Sequence, residues 1–481
     1  MTAFKPVVGN WWIDDDPDRR VPGYIDLDTD ASSFPWRLTV NGELQEVFEP
    51  GVDRTVTVFG ETPLGRFTLE RAGRRETRSG GGPGVMQVWG GSRLLKGGLK
   101  GGHIAREQVF AWATFQLPHL WHWLGPSTLN QHAADLPKRP KLKRGDDAEW
   151  IHSELASGLH LALGRTLSTS FEPAGWHENT RESASFSLHS ETGFTADRLR
   201  IVQDGMAKLH SLVAGVLMEP TQIELGSDQD DPSAYWTVIP AGPPVGEEWH
   251  GTRDPFFDTA DIDFDAFVRE WLRLYEAAPI VASVVAPRSE KTYVTTLLTD
   301  VCNGAEALAA YRWGSGKGDL SAADVAVMEA LVAQKIPSRT RRRVENLLLR
   351  DATLQSKLEA LARDAGEESI RWLVGPDVPA WARLVVRLRN SLAHGSSLPN
   401  GLSDDIHFVV MAYETLSAVL RISLFKTCGY TNRMSKVNGE ILWAEGRSVV
   451  GHPNSAFYQH VTFLASQSTY WAEWDRRLDQ Q

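Results

Sequence analysis

The sequence predicts an α+β fold: a β-rich N-terminal domain followed by an all-α helical bundle. Three observations carry this. The first 250 or so residues hold short runs that alternate apolar and polar and are broken by Gly, Pro and Asp. From about residue 255 the apolar period changes from two to 3.6. At 481 residues a single core is improbable, so two or three units are expected.

The strand half reads in order. "YIDLD", "WRLTVNGEL", "TVTVFG" and "GRFTLERAG" have the pattern of antiparallel strands with tight turns. "RSGGGPG", Arg78 to Gly84, is a loop. The glycines of "GGSRLLKGGLKGGH" lack the strand–helix context of a phosphate loop and read as turns, and "GSGKGD" around Lys317 has neither the glycine spacing nor the hydroxyl residue of one. "VFAWATFQLPHLWHWLG" gives an aromatic strand and then a short helix or loop. "KRPKLKRGDDAEW", from Lys138, is a basic run met at once by acids, the pattern of a solvated loop.

The helical half opens after "DPFFDTADIDFD". Phe264, Phe267, Val268, Trp271, Leu274 and Tyr275 recur at helical spacing. "SEKTYVTTLLTDVCNGAEALAAYRW" is long and apolar-faced, and "SAADVAVMEALVAQK" opens with Ser321 and Asp324 in a capping-box arrangement. Further helices follow in "RTRRRVENLLLRDATLQSKLEALARD", "VPAWARLVVRLRNSLAHG" and "SDDIHFVVMAYETLSAVLRISLFK". Short connections between them predict an antiparallel bundle. The divisions are residues 1–255, 256–430 and a C-terminal extension 431–481 packing on the bundle.

Composition narrows the function. No charged-then-apolar leader is present, and no apolar run approaches the twenty residues of a membrane span, so no membrane partner is expected. The two cysteines, Cys302 and Cys428, supply neither a disulfide framework nor a cysteine zinc site, which fits a reducing cytoplasm. A net charge of −11 argues against a general DNA-coating role but leaves room for a local basic patch. The 18 tryptophans are expected mainly as anchors of the sheets.

The chemistry concentrates in "VRLRNSLAHG". On a helical wheel Arg383, Arg387, Asn390 and His394 form one polar stripe, while Leu384, Val385, Leu388 and Leu392 lie opposite. Arg389 is off that stripe, on the flank of the apolar side, where its charge needs a partner. Gly395 is placed to end the helix. One reading is a helix end with a polar rim. The other is metal-free RNA cleavage: a histidine titrating near neutrality exchanges a proton with the ribose 2′-hydroxyl or the leaving oxygen, an arginine holds the phosphate charge, and the asparagine orients one of them. One helix end is sparse for a site, and a symmetric dimer would supply two copies. No metal and no cofactor are expected. Glu306, on an early bundle helix, is a possible counter-ion for Arg389.

Other motifs weigh less. Arg447 and His452 repeat the Arg-to-His spacing in a Gly/Val stretch before Pro453, with no helix to fix them. His119 and His122 have metal-like spacing without a third ligand. Arg339, Arg341, Arg342 and Arg343 begin a helix of the same bundle and are candidates for an RNA backbone contact, beside Arg383 and Arg387.

"RNSLAH" in an all-α bundle resembles the HEPN motif: Arg389, then the polar Asn390, then three residues and His394. "VVGNWWIDDDPDRRVPGYIDLD" and "LLKGGLKGGHIAREQVFAWATFQLPHLWHWLG" resemble the N-terminal domain of ApeA-type anti-phage proteins. The resemblance implies a HEPN endoribonuclease of abortive infection, with Arg389, Asn390 and His394 acting at a homodimer interface on a transfer or messenger RNA. It also implies a 2′,3′-cyclic phosphate product, and an N-terminal domain that senses a phage-derived trigger or restrains the nuclease. The alternative is a non-catalytic ligand- or protein-binding module that dimerises through its helices.

Overall fold

The computed structural model describes residues 6–13, 16, 18–26, 36–44, 56–79, 85–90, 93–97, 102–104, 108–124, 150–155, 158–171, 178–228, 235–239, 255–288, 292–314, 322–334, 337–338, 340, 353–365, 373–374, 377–393 and 406–430. They form a large antiparallel sheet in the N-terminal region and helices in the C-terminal region. Two compact units emerge: residues 1–207 with 218–250, and residues 208–217 with 251–481.

The strands are β1 (Val7–Ile13), β2 (Val21–Asp26), β3 (Arg37–Asn41), β4 (Val56–Thr62), β5 (Gly65–Ser79), β6 (Val85–Gly90), β7 (Arg93–Gly97), β8 (Val109–Gln116), β9 (Trp150–Leu155), β10 (Leu159–Phe171), β11 (Glu178–Thr195), β12 (Gln222–Gly226) and β13 (Tyr235–Ile239). The glycine-rich run read as turns therefore contributes a strand, β7. β6 and β7 pair in succession along the length of β5, from Ser79↔Val85 to Phe67↔Lys96. The two halves then part company: β6 also pairs with β3, and β7 with β13.

Because β5 also pairs with β4, the order β4-β1-β2-β3-β6-β5 closes on itself as a six-stranded barrel. Closure removes two exposed edges. Inward-facing residues fill the ring, among them Trp11, Ile25, Trp36, Leu38, Val40, Val58, Phe67 and Leu69. From β7 the sheet runs on through β13-β12-β8-β11-β10-β9, with Ala113, Phe115, Leu161, Leu163, Phe186, Leu188 and Leu225 buried on one face.

Three tryptophans cover glycines directly across the strand pairing: Trp11 over Gly60, Trp150 over Gly164 and Trp112 over Gly226. These pairs show tryptophan at work as a sheet anchor. They pin register, because a one-residue slip would drive each indole into a side chain.

Helix α1 is the short Leu120–Trp123 segment, and α2 is Ala196–Ala214. The β reading of the first 250 residues does not include α2, although Leu199, Val202, Met206, Leu209 and Val213 recur at helical spacing and are buried. The remaining described helices are α3 (Phe264–Ala277), α4 (Pro279–Val285), α5 (Val294–Trp313), α6 (Ala322–Ala333), α7 (Leu354–Ala365), α8 (Val378–Ala393) and α9 (Ile406–Thr427). The capping box at Ser321, the segment 138–149 and the whole extension 431–481 lie outside the described residues.

Helix α9 packs on α4, α5 and α7, and α8 packs on α5 and α7. At Gly304 of α5 an added Cβ would stand 2.4 Å from Val284 of α4 and 3.2 Å from Leu420 of α9, so a larger residue would wedge three helices apart. The stretch Phe408–Thr427 is long and apolar enough to cross a membrane, contrary to the expectation that no run approaches that length. Most of it is buried within the protein, as befits a central bundle helix. Two of its hydroxyls are satisfied within the bundle: Thr415 Oγ1 donates to Met411 O one turn back at 2.7 Å, and Ser423 Oγ donates across to Leu361 O of α7 at 3.0 Å.

Candidate active site

The motif helix α8 is defined at its start by Asp377, whose side chain accepts from Ala380 N at 2.9 Å. A carboxylate there satisfies a free N–H and complements the helix dipole. Trp381 is fully buried and its Nε1 donates to Thr415 Oγ1 of α9 at 3.3 Å, which fixes the roll of the helix. With Leu384, Val385 and Leu388 also buried, the opposite face must carry the polar residues. Arg387 and Asn390 are exposed there and Arg383 is half-buried, as the wheel predicts.

Arg389 is half-buried on the flank. Neighbours in a helix point about 100° apart and do not face each other. The arginine nevertheless reaches round: its Nη1 donates to Asn390 Oδ1 at 3.1 Å. The off-stripe arginine is thereby tied to the stripe. Its Nε is buried and has no hydrogen-bond partner among the described residues. Holding a permanent cation in that position is costly unless something compensates, and it leaves the guanidinium with donor capacity still to be used.

The sequence offered Glu306 as the counter-ion. Among the described residues Glu306 pairs instead with Lys357 of α7, at 3.7 Å, and makes no ion pair with Arg389. On helix α5 burial pushes the Cys302 thiol up to about 12, and the positive charge of Arg389 opposes that rise. Cys302 enters the sequence reading only as one of two isolated thiols, and no motif marks it as a neighbour of Arg389. The second thiol, Cys428, is likewise held far above the usual range by burial. Both should resist iodoacetamide at pH 8 in the native protein and react fully in denaturant, because the thiolate is the nucleophile. Intact mass measures this. Rapid labelling of native Cys302 would contradict its burial in α5.

A second bridge ties α5 to α7, where Arg312 pairs with Asp364. Lys426 of α9 donates to the Asp364 carbonyl at 2.6 Å. The helices that support α8 are thus cross-linked by charge as well as by apolar packing. His394, the third member of the motif, lies outside the described residues, as do Arg339, Arg341, Arg342 and Arg343 and the second Arg/His match at Arg447 and His452. His119 and His122 are among the described residues: His119 is left-handed (φ 56°) and His122 stacks on Trp121 at 3.4 Å between ring centroids. No group of three or more metal-ligating side chains occurs among the described residues.

What the described part of the site offers is an arginine fixed at one end of a rigid helix, beside an asparagine and a row of further cations. A guanidinium so placed has the donor geometry that suits a phosphate or a carboxylate. Two family models match the chain, one in each half. Residues 6–271 match the model of the ApeA N-terminal domain 1, and residues 300–433 match that of the Apea-like HEPN domain, which takes in α8 and its motif. No curated protein and no solved structure matches the chain. The chain belongs to the ApeA family of anti-phage defence proteins, with a β-rich N-terminal domain followed by a HEPN domain.

Proposed function

We propose that this protein is an endoribonuclease of abortive infection that cuts RNA without a metal at a HEPN homodimer interface. The observation that carries the reading is the link from Arg389 Nη1 to Asn390 Oδ1, which brings the motif arginine onto the polar stripe. The family membership adds the context of phage defence.

In the proposed reaction the ribose 2′-hydroxyl attacks the adjacent phosphorus and the 5′-oxygen of the next nucleotide leaves. One His394 takes the 2′-proton, and the His394 of the second copy gives a proton to the leaving oxygen. Arg389 neutralises the charge that builds on the non-bridging oxygens. The products are a 2′,3′-cyclic phosphate and a 5′-hydroxyl. Arg383 and Arg387, with Arg339, Arg341, Arg342 and Arg343, hold the backbone of a transfer or messenger RNA on either side. The N-terminal domain senses a phage-derived trigger, and the enzyme works in the cytoplasm.

The test is to sequence RNA ends from cells expressing the wild type or His394→Ala, with and without phage. New ends should appear with the wild type on infection and be missing with the variant, which remains folded by circular dichroism. Cutting retained by His394→Ala would overturn the catalytic assignment. Wild type that never cuts would turn the assignment toward a non-catalytic binding module.

A further inference from the structure

One row of side chains crosses four strands in the part of the sheet that runs from β8 to β9. Register sets Glu154 of β9 opposite His160 of β10, His160 opposite His189 of β11, and His189 opposite Trp112 of β8. Strand alternation turns this row away from the face of Leu161 and Leu188, which are buried. His160 is exposed and His189 is half-buried. Their rings stand edge to face, 6.4 Å apart between centroids and 68° apart in plane. Among the described residues neither imidazole is engaged in a hydrogen bond or an ion pair.

The charge around this pair has one sign. Glu154 stands on one side of it, and Glu191, two residues beyond His189, shares the same face. The next row along holds His152, Ala162, Ser187 and Thr114. No lysine or arginine occupies any of these positions. Such a face repels a phosphodiester and attracts a cation. Imidazole nitrogens suit zinc, nickel and copper, whereas magnesium and calcium prefer oxygen. Two such nitrogens about 2.0–2.1 Å from one tetrahedral ion put their ring centroids about 5 Å apart. The observed 6.4 Å therefore closes by about 1 Å on binding, a movement within reach of side-chain torsions.

We propose that His160 and His189 form a cross-strand site for a borderline-soft divalent cation, Zn²⁺, Ni²⁺ or Cu²⁺, which clamps β10 to β11. No group of three His, Cys, Asp or Glu able to hold a metal occurs among the described residues. Water therefore fills the remaining positions, and the ion exchanges readily, unlike that of a closed structural zinc site. Glu154 and Glu191 draw the ion in by charge without entering its shell. The clamp joins strands of 13 and 18 residues near the end where β10 turns back to β9. The pair lies wholly within the first compact unit and takes no part in the proposed RNA cleavage, which uses no metal.

The experiment is electron paramagnetic resonance of the purified full chain with one equivalent of Cu²⁺, as wild type, His160→Gln, His189→Gln and the control His152→Gln. The wild type and the control should show two coordinated imidazoles, and each of the other variants one. Titration calorimetry with Zn²⁺ should show affinity reduced by roughly 10–100-fold or more in His160→Gln and His189→Gln, since loss of an outer-shell partner alone costs that much. At about a hundred times its Kd, Zn²⁺ should raise the unfolding temperature of the wild type by roughly 5 °C. Neither pair variant should show that rise.

A wild type that binds Cu²⁺ through a single imidazole would overturn the proposal. Two imidazoles that persist in both pair variants would do so as well, because they would place the ion elsewhere among the 14 histidines. So would an imidazole lost in His152→Gln but kept in His189→Gln. His160 is exposed, so His160→Gln decides the matter even if His189→Gln fails to fold.

Discussion

Arg389→Lys is expected to lower RNA cleavage by about 10²–10³-fold with the fold intact, the loss typical of removing one transition-state donor. Charge is conserved in this variant, so the effect isolates geometry. The guanidinium offers a fork, of which Nη1 is committed to Asn390 and further donors remain for a phosphate. A lysine ammonium on α8 has neither the reach to bridge to Asn390 nor two parallel donors. Asn390→Ala should cost less, on the order of tenfold, because it frees Arg389 without removing it. Single-turnover cleavage of a labelled RNA separates the two: binding should change little for either, and the chemical step should fall in both. Equal rates for Arg389→Lys and wild type would mean that Arg389 acts only as a diffuse charge.

The largest effect on stability is expected in the barrel. Gly60→Val places a Cβ 2.2 Å from Cζ3 and 2.3 Å from Cε3 of Trp11, a ring that is fully buried. The indole has nowhere to go, with Phe67 beside it at 6.3 Å between ring centroids. Overpacking of this kind costs about 3 kcal/mol or more. The complementary Trp11→Ala leaves a cavity worth about 3–5 kcal/mol. Either should move the unfolding of the N-terminal unit down by roughly 10 °C in a calorimetric scan. Gly102→Ala, where a Cβ would meet only the tip of Arg66 at 4.0 Å, should leave it within about 2 °C. An unshifted Gly60→Val scan would mean that Trp11 does not lie over Gly60.

Much of this architecture was legible in the residues because periodicity is local. Alternation located β2 to β5 and the aromatic run located β8, while 3.6-residue spacing located α3, α5 and α8; β1 carried no such reading. Barrel closure was not legible. It depends on β5 pairing with β4 on one side and with β6 and then β7 on the other, and such long-range pairing leaves no mark in any single strand. Helix α2 did show its spacing, at Leu199, Val202 and Met206, but it sits among strands and was absorbed into them. At the candidate site the wheel placed Arg383, Arg387 and Asn390 on one stripe and Leu384, Val385 and Leu388 opposite. It could not show Arg389 reaching back to Asn390, since a side-chain torsion rather than backbone geometry makes that link. The partner of Glu306 was equally hidden: 50 lysines and arginines are available, and only the packing of α5 on α7 selects Lys357.

The proposed cleavage through the ribose 2′-hydroxyl at a paired Arg389/His394 site fixes the chemistry of both new RNA ends. It is tested most directly by the end groups of RNA cut by the purified protein, activated with lysate of infected cells, in the presence of EDTA. The expected products carry 2′,3′-cyclic phosphate and 5′-hydroxyl ends, formed at an undiminished rate. Cleavage that stops on chelation, or that leaves 5′-phosphate and 3′-hydroxyl ends, would contradict it.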